Sequence, residues 1–129
     1  MSIELIHQYL SQESYWAKGI SRKVVATSIE NSLCFGVFTN NYQVGFARVI
    51  SDYATFAYIA DVFISEAHRG KGLSKLLMQT IINHPKLQGL RRIMLATKDA
   101  HELYKKFGFN ELSKPDRWME KWSPDVYKK

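Results

Sequence analysis

Cysteine is nearly absent from this chain of 129 residues, since Cys34 is the single example and no internal disulfide can form. Its apolar neighbours, Leu33 and Phe35, predict a buried thiol that packs as a small hydrophobe. A lone unpaired thiol is typical of a reducing compartment, so we expect a cytoplasmic protein. The first ten residues carry Glu4 and lack a basic cluster, which argues against a signal peptide. No apolar run approaches the roughly 18 residues of a membrane helix, so no membrane partner is expected.

Proline is also scarce, and its three positions, Pro85, Pro115 and Pro124, mark no domain boundary. Repeats, low-complexity segments and linkers are missing as well. The length, with 46% hydrophobic and 23% charged residues, is typical of one globular domain. We therefore expect a single domain over residues 1–129 whose core needs neither a disulfide nor a metal.

The net charge of +6 predicts an anionic partner without identifying it. Nucleic acid, a membrane surface and a phosphorylated cofactor would all be attracted. The basic residues are scattered rather than gathered in one stripe, and no RNA-binding or helix-turn-helix signature is present. Nucleic acid is therefore not favoured as the partner.

The periodicity of apolar residues predicts an α/β (α+β) domain with a mixed, mostly antiparallel sheet flanked by helices. Residues 3–10 fit either a strand or a helical turn. Strands are predicted at 33–38, 44–50, 56–64 and 92–97, and a closing hairpin with a strand at 118–122. Helices are predicted at 21–31, 73–84 and 100–107, the first capped by Ser21 and the last by Asp99 with Glu102.

The segment from Arg69 to Ser74 joins a buried strand to the clearest helix. Gly70 and Gly72 allow backbone N–H groups to approach a ligand, and the first turn of a helix offers unpaired donors with partial positive charge. Such a segment suits a diphosphate. On composition alone it fits a solvated basic turn equally well, and it is neither a dinucleotide fingerprint nor a Walker A loop.

Two segments resemble motifs of the GNAT superfamily of N-acetyltransferases. Arg69-Gly70-Lys71-Gly72-Leu73-Ser74 is similar to its pyrophosphate loop, Arg/Gln-x-x-Gly-x-Gly/Ala, with Ser74 in the last position. The segment 103–109 is similar to its Leu-Tyr-x-x-x-Gly-Phe motif. Thr97 stands where an asparagine is usual. With their strands, the two motifs span residues 33–122.

The resemblance implies acetyl-CoA as co-substrate and a sheet whose central parallel strands splay apart. It implies that coenzyme A contacts Val62, Phe63 and Ile64, then Arg69, Gly70, Lys71, Gly72, Leu73 and Ser74, and also Thr97, Ala100 and Phe107. It also implies that Tyr104 is the general acid in acetyl transfer to a primary amine of a small molecule or a protein. Packing in the core is the other reading of Tyr104. A coenzyme-A-binding sensor with little catalysis is the other reading of the chain, and a homodimer is left open.

Asp61 is the one charge inside the central predicted strand, where a carboxylate must be paired or face a cavity. It could bind a cationic amine or relay its proton, which makes it a candidate catalytic residue. An ion pair or exposure at a bulge is the alternative. Tyr15 and Trp16 are candidates for the wall that binds the acceptor amine, or for a lid over the core.

Overall fold

The computed structural model describes residues 1–128 and contains one four-stranded sheet in the order β1-β2-β3-β4. The strands are Leu33–Thr39 (β1), Tyr42–Ser51 (β2), Phe56–Ile64 (β3) and Arg92–Leu95 (β4). The first three are antiparallel, and β4 pairs with β3 in parallel. The predicted mixed, mostly antiparallel sheet is confirmed.

Turn chemistry fixes the β1–β2 hairpin as predicted. Asn40 and Asn41 have φ values of 50° and 68°, the left-handed backbone that a tight hairpin turn requires. Asparagine tolerates this conformation because its side chain can bond locally to the backbone. The hairpin sets the register in which Leu33 faces Val49.

Helices cover both faces of the sheet. They are Ile3–Gln8 (α1), Arg22–Glu30 (α2), Leu73–Ile82 (α3) and His101–Lys105 (α4), with a π-helical turn at Tyr9–Glu13. The Ser21 hydroxyl accepts a hydrogen bond from the Val24 N–H, so the predicted cap of α2 is confirmed. Residues 3–10, which the sequence left open, are helical.

The sheet separates two apolar clusters because alternate residues of its strands point to opposite faces. On one face Ala47, Val49 and Ile59 pack with the buried residues of α3, Leu77, Met78 and Ile81. On the other face, Phe46 and Phe63 pack with the N-terminal residues Ile6, Leu10, Ala17, Ile20 and Val25. The two clusters enclose β3 from both sides, as its nearly continuous apolar run predicted.

The central strands splay apart. β3 pairs with β4 from Phe56 opposite Arg92 only as far as Ile59 opposite Leu95, and β3 then continues to Ile64 without β4 beside it. On its other edge β3 carries a bulge, because the register passes from Phe46–Phe63 to Arg48–Ala60. Asp61 and Val62 therefore face the single residue Ala47.

The last third of the chain departs from the predictions. The predicted strand at 118–122 is wrong: a 3₁₀ turn at Pro115–Arg117 precedes it, and the segment pairs with no strand. Met119 and Trp122 are 97% and 72% exposed, so its alternating pattern buries nothing against the sheet. β4 also ends at Leu95 rather than Thr97.

The cap of α4 was also predicted wrongly. Its N-cap is Ala100, and neither Asp99 nor a capping box closes the helix. Instead the Thr97 hydroxyl accepts a hydrogen bond from the Ala100 N–H at 3.0 Å. The predicted end of this helix is better matched, because Gly108 has a φ of 88° and the Phe109 N–H bonds back to the Tyr104 carbonyl.

Candidate active site

A cavity of about 1090 Å³ opens where β3 and β4 separate. Its lining comes mainly from three parts of the chain: the N-terminal residues between 9 and 28, the strand and loop between 58 and 74, and the segment between 95 and 104; Arg48 of β2 and Tyr127 complete it. The predicted site residues that line it are Tyr15, Trp16, Asp61, Val62, Phe63, Ile64, Arg69, Ser74, Thr97, Ala100 and Tyr104. The fold thus gathers most of the predicted site around one space.

Residues 70–72 form a loop, called the glycine loop below, between Arg69 and Ser74. Its own residues do not line the cavity. Gly70 and Gly72 both have a φ of 78°, and a Cβ at either position would meet no atom within 4 Å. Gly72 is the N-cap of α3, and no side chain bonds to the first turn of that helix. The N–H groups of this turn are therefore free to bind an anion from an unobstructed side, which fits a diphosphate.

Two residues predicted to contact coenzyme A lie outside the cavity lining. The side chains of Leu73 and Phe107 pack against the core beside α3, and neither lines the cavity. Leu73 can reach a ligand at the helix terminus through its peptide N–H. Lys71 is exposed in the loop and lies beside the same terminus.

Arg69 bonds to two groups that the sequence did not indicate. Its Nε donates to the Ile64 carbonyl at 3.0 Å, and its Nη2 donates to the Tyr9 hydroxyl at 3.1 Å. The guanidinium thus ties the start of the loop to the end of β3 and to the N-terminal turn. Tyr9 was missed because only the tertiary fold brings it near Arg69.

Tyr104 lies on α4, is 8% exposed and lines the cavity. Burial raises the pKa of Tyr104 above its ordinary value of 10.0, and the neighbouring Tyr15 and Asp99 raise this pKa further. Each of these effects disfavours the phenolate. The ring belongs to the core cluster while the residue also faces the cavity, so packing and a chemical role are compatible.

Asp61 has a φ of 55°, a left-handed conformation that costs a non-glycine residue about 1–2 kcal/mol. One carboxylate oxygen accepts from the Trp16 indole N–H at 2.8 Å, and the other accepts from Arg48 Nε at 2.9 Å. The Arg48 and Asp61 side chains are only 16% and 10% exposed. Asp61 therefore sits at a bulge in an ion pair, the alternative that the sequence left open.

Arg48 was missed, although a signal exists in the sequence. It is the one charged residue inside β2, and a buried charge needs a partner. Asp61 is the one charge inside the next strand. Antiparallel neighbours joined by a short turn can bring two such residues together, and their pairing could have been inferred.

Tyr15 and Trp16 form part of the cavity wall. The Tyr15 hydroxyl accepts a hydrogen bond from the Lys98 N–H at 3.1 Å, and Lys98 Nζ lies 5.3 Å from the centroid of the Tyr15 ring. The two aromatic rings meet edge to face at 5.0 Å. The N-terminal segment is thereby joined to the segment that follows β4, across the cavity.

Three further residues, Asp52, Cys34 and Tyr58, differ in how they relate to the cavity. Asp52 accepts hydrogen bonds from Thr55 and from the Ala54 and Phe56 N–H groups, which hold the pKa of its carboxyl well below its usual range. Cys34 is half-buried outside the cavity lining, and burial raises the pKa of its thiol. Tyr58 does line the cavity.

Two findings concern ligands and membranes. Among residues 1–128, no group of three or more His, Cys, Asp or Glu side chains could hold a metal ion. In the same part of the chain, none of the helices has the length and apolar character needed to cross a membrane.

A sheet that splays over a cavity, next to a helix terminus open to a diphosphate, fits the arrangement that the resemblance to the GNAT superfamily implies. The profile of the Acetyltransferase (GNAT) family matches residues 4–109. The chain belongs to the GNAT family of acetyltransferases, whose members use acetyl-CoA and act on amines.

Individual relatives agree with this assignment. A Gibberella zeae protein that is provisionally named an acetyltransferase is 32% identical over 128 residues, an alignment that covers 82% of this chain and 71% of the relative. A crystal structure from Xanthomonas campestris, of a protein provisionally assigned to the GNAT family, is 53% identical. It superposes with a TM-score of 0.98 over 100% of this chain and 91% of that one.

A more distant structure supports the fold alone. It is a predicted acetyltransferase of Clostridium acetobutylicum with acetyl-CoA, and it is 18% identical. The TM-score is 0.65, and the superposition covers 92% of this chain and 85% of that one. The overall fold is thus kept at low sequence identity.

Proposed function

We propose that this protein transfers the acetyl group of acetyl-CoA to a primary amine of a small molecule or a protein by direct attack. The observation that carries the proposal is a single cavity that extends from the residues flanking the glycine loop, along the open edge of β3, to Tyr104. It joins an anion site, a free strand edge and a protonated phenol. Those are the three groups that the transfer needs.

The chain would hold coenzyme A largely through its backbone. The amides from Gly70 to Ser74 bind the pyrophosphate, and the exposed Lys71 adds charge at the rim. The edge of β3 at Val62–Ile64 pairs with the pantetheine arm as an added strand does. On the opposite side Thr97 and Ala100 line the cavity, and Phe107 supports α4 from the core.

The reaction itself begins with a neutral amine, whose lone pair forms a bond to the thioester carbonyl carbon. A peptide N–H near Val62 or Phe63 stabilises the negative charge that develops on the carbonyl oxygen. The carbon–sulfur bond breaks, and Tyr104 gives its proton to the departing thiolate. The proton lost by the amine passes to water, and Tyr104 is reprotonated from solvent.

Acetyl-CoA turnover against a panel of polyamines, aminoglycosides and lysine peptides tests this proposal, with thiol release as the signal. Tyr104→Phe should lower kcat by about 100-fold or more, because a general acid contributes 10²–10⁴. Its affinity for coenzyme A should be nearly unchanged in calorimetry. Tyr53→Phe, outside the cavity lining, is the matched control.

The absence of any calorimetric binding of coenzyme A would contradict the proposal. Equal turnover of Tyr104→Phe and wild type would remove Tyr104 from the mechanism. A coenzyme-A-binding sensor is the second candidate, and one observation favours it: the Thr97 hydroxyl already accepts a hydrogen bond from the Ala100 N–H. Tight binding of coenzyme A without turnover of any amine would select it.

A further inference from the structure

We propose that Asp61 is a positioning residue, which with Arg48 and Trp16 holds the bulge of β3 in the shape that turns its amides toward the thioester. The proposal rests on the proposed acetyl transfer and deepens it. It assigns a role to Arg48, which lines the cavity. It also differs from the reading of Asp61 as a proton acceptor.

The bulge lies where the sheet supports β3 least. Asp61 and Val62 face one residue of β2, so one residue of β3 has no partner in the ladder. On the other edge β4 has already ended opposite Ile59. The backbone at Asp61 is also left-handed. The ladder with β2 resumes at Phe63 opposite Phe46, so the peptide groups between Ala60 and Phe63 are those whose direction the ladder does not fix.

The carboxylate of Asp61 is held from two sides. Arg48 holds it from β2, and Arg48 Nη1 also donates to the Ser32 hydroxyl at 3.2 Å, which ties the pair to the segment between α2 and β1. Trp16 holds it from the cavity wall, where its ring meets Tyr15 at 5.0 Å. Asp61 thus connects β2, through Arg48, to the part of the cavity wall that is proposed to bind the amine.

These contacts leave Asp61 poorly placed to act as a base. Each carboxylate oxygen already accepts a charged or indole N–H. The guanidinium of Arg48 is largely buried and requires the negative charge of its partner. Protonating Asp61 would remove that charge from an ion pair that the surrounding residues enclose.

The test uses Asp61→Asn, Arg48→Gln and Trp16→Phe, alone and with the first two combined. Small displacements of reacting groups are costly, so we expect each single variant to lower kcat by about tenfold. The dissociation constant for coenzyme A should stay within about twofold, because the glycine loop is untouched. The double variant should be no slower than its slower parent, since the two residues act through each other.

Kinetics also distinguish the competing role. If Asp61 accepts the proton, Asp61→Asn alone should lose about 10²–10⁴ in kcat and the acidic limb of its pH profile, while Arg48→Gln stays near wild type. That result would overturn the proposal. An unchanged pH profile with comparable losses in all three variants supports it.

A second measurement does not depend on turnover. Hydrogen exchange at the Val62 and Phe63 amides should accelerate in Arg48→Gln and Trp16→Phe, by about tenfold if the held state is favoured by that factor. Arg22→Gln is the matched control, because it breaks an ion pair with Glu4 in which both side chains are exposed. If wild type turns over no amine, the proposed function fails while the exchange still tests the bulge. Unchanged exchange in both variants would overturn the positioning role.

Discussion

The ring of Tyr9 stacks on the ring of Phe63, with centroids 4.0 Å apart and planes only 8° from parallel. Phe63 lies on the part of β3 that has no β4 beside it, and the Tyr9 hydroxyl accepts from Arg69. One N-terminal side chain therefore supports both the free strand edge and the start of the glycine loop. The N-terminal turn is part of the proposed coenzyme A site through this residue.

Tyr9→Phe should weaken coenzyme A binding while the stacking on Phe63 remains. Removing the hydroxyl costs Arg69 one hydrogen bond, worth roughly 1 kcal/mol or about fivefold in affinity. Calorimetric titration with coenzyme A measures the change. Tyr42→Phe is a suitable control because Tyr42 is 76% exposed and does not line the cavity. Equal affinities for Tyr9→Phe and wild type would mean that Arg69 is held well enough by Ile64 alone.

Gly72→Ala and Gly89→Ala form a matched pair. Both glycines have positive φ, and a Cβ at either would meet open space, so each substitution should cost about 1 kcal/mol of folding free energy through backbone strain. Gly72, unlike Gly89, is the N-cap of α3, where the pyrophosphate is proposed to bind. Gly72→Ala should therefore reduce the affinity for coenzyme A, whereas Gly89→Ala should not. Urea unfolding and calorimetry together check this. An equal loss of affinity in both variants would show that the loop acts only through stability.

The pH dependence of turnover should follow Tyr104. A general acid works in its protonated form, and the pKa of Tyr104 is raised above 10.0 by burial. We therefore expect ionisation of Tyr104 to leave kcat unchanged until the pH exceeds 10.0, where kcat should begin to fall. The pH profile of Tyr104→Phe should lack this alkaline fall. Initial rates must be corrected for spontaneous thioester hydrolysis. An alkaline limb of wild type well below that value would point to a different acid.

Unfolding at alkaline pH limits the same experiment. The direction in which stability changes with pH follows from the raised pKa of Tyr104. In the unfolded chain Tyr104 ionises near its ordinary pKa, while in the folded chain it keeps its proton to higher pH. The unfolded state therefore binds fewer protons above pH 10.0, and stability falls as the pH rises through the folded pKa. Circular dichroism at each pH establishes that the protein is still folded when kcat is measured.

Thr97→Val should destabilise α4, since it removes the hydroxyl that accepts from the Ala100 N–H. Loss of one such hydrogen bond typically costs about 1 kcal/mol. Because α4 carries Tyr104, kcat should fall more than coenzyme A affinity. Thr97→Ser retains the hydroxyl and should restore both stability and kcat. A Thr97→Val variant with unchanged urea unfolding would show that this hydrogen bond contributes nothing measurable to the free energy of unfolding.

Features set by local sequence could be predicted well. The bounds of β3 agree with its apolar run, and Asn40-Asn41 makes the predicted turn. The helix after the glycine loop begins at Leu73 as predicted. In each case the information lies within a few residues, as periodicity or as turn chemistry.

Features that depend on tertiary contacts could not be predicted from the sequence. Asp99 looked like a helix cap, but Thr97 is the residue whose hydroxyl reaches the Ala100 N–H, and that depends on how the chain leaves β4. Residues 118–122 have a strand-like pattern, yet Trp118 lies against the guanidinium of Arg92 at 4.7 Å and the segment stays outside the sheet. The contacts of Arg69 with Tyr9 and of Asp61 with Trp16 join positions far apart in sequence.

The position of β3 between the two proposed binding regions has a kinetic consequence. Its edge offers the grip for the acyl donor, while Asp61, in the same strand, bonds to the wall offered to the amine. Donor and acceptor would occupy this one strand together, so a ternary complex must form before the first product leaves. Double-reciprocal plots at several amine concentrations should then intersect rather than run parallel.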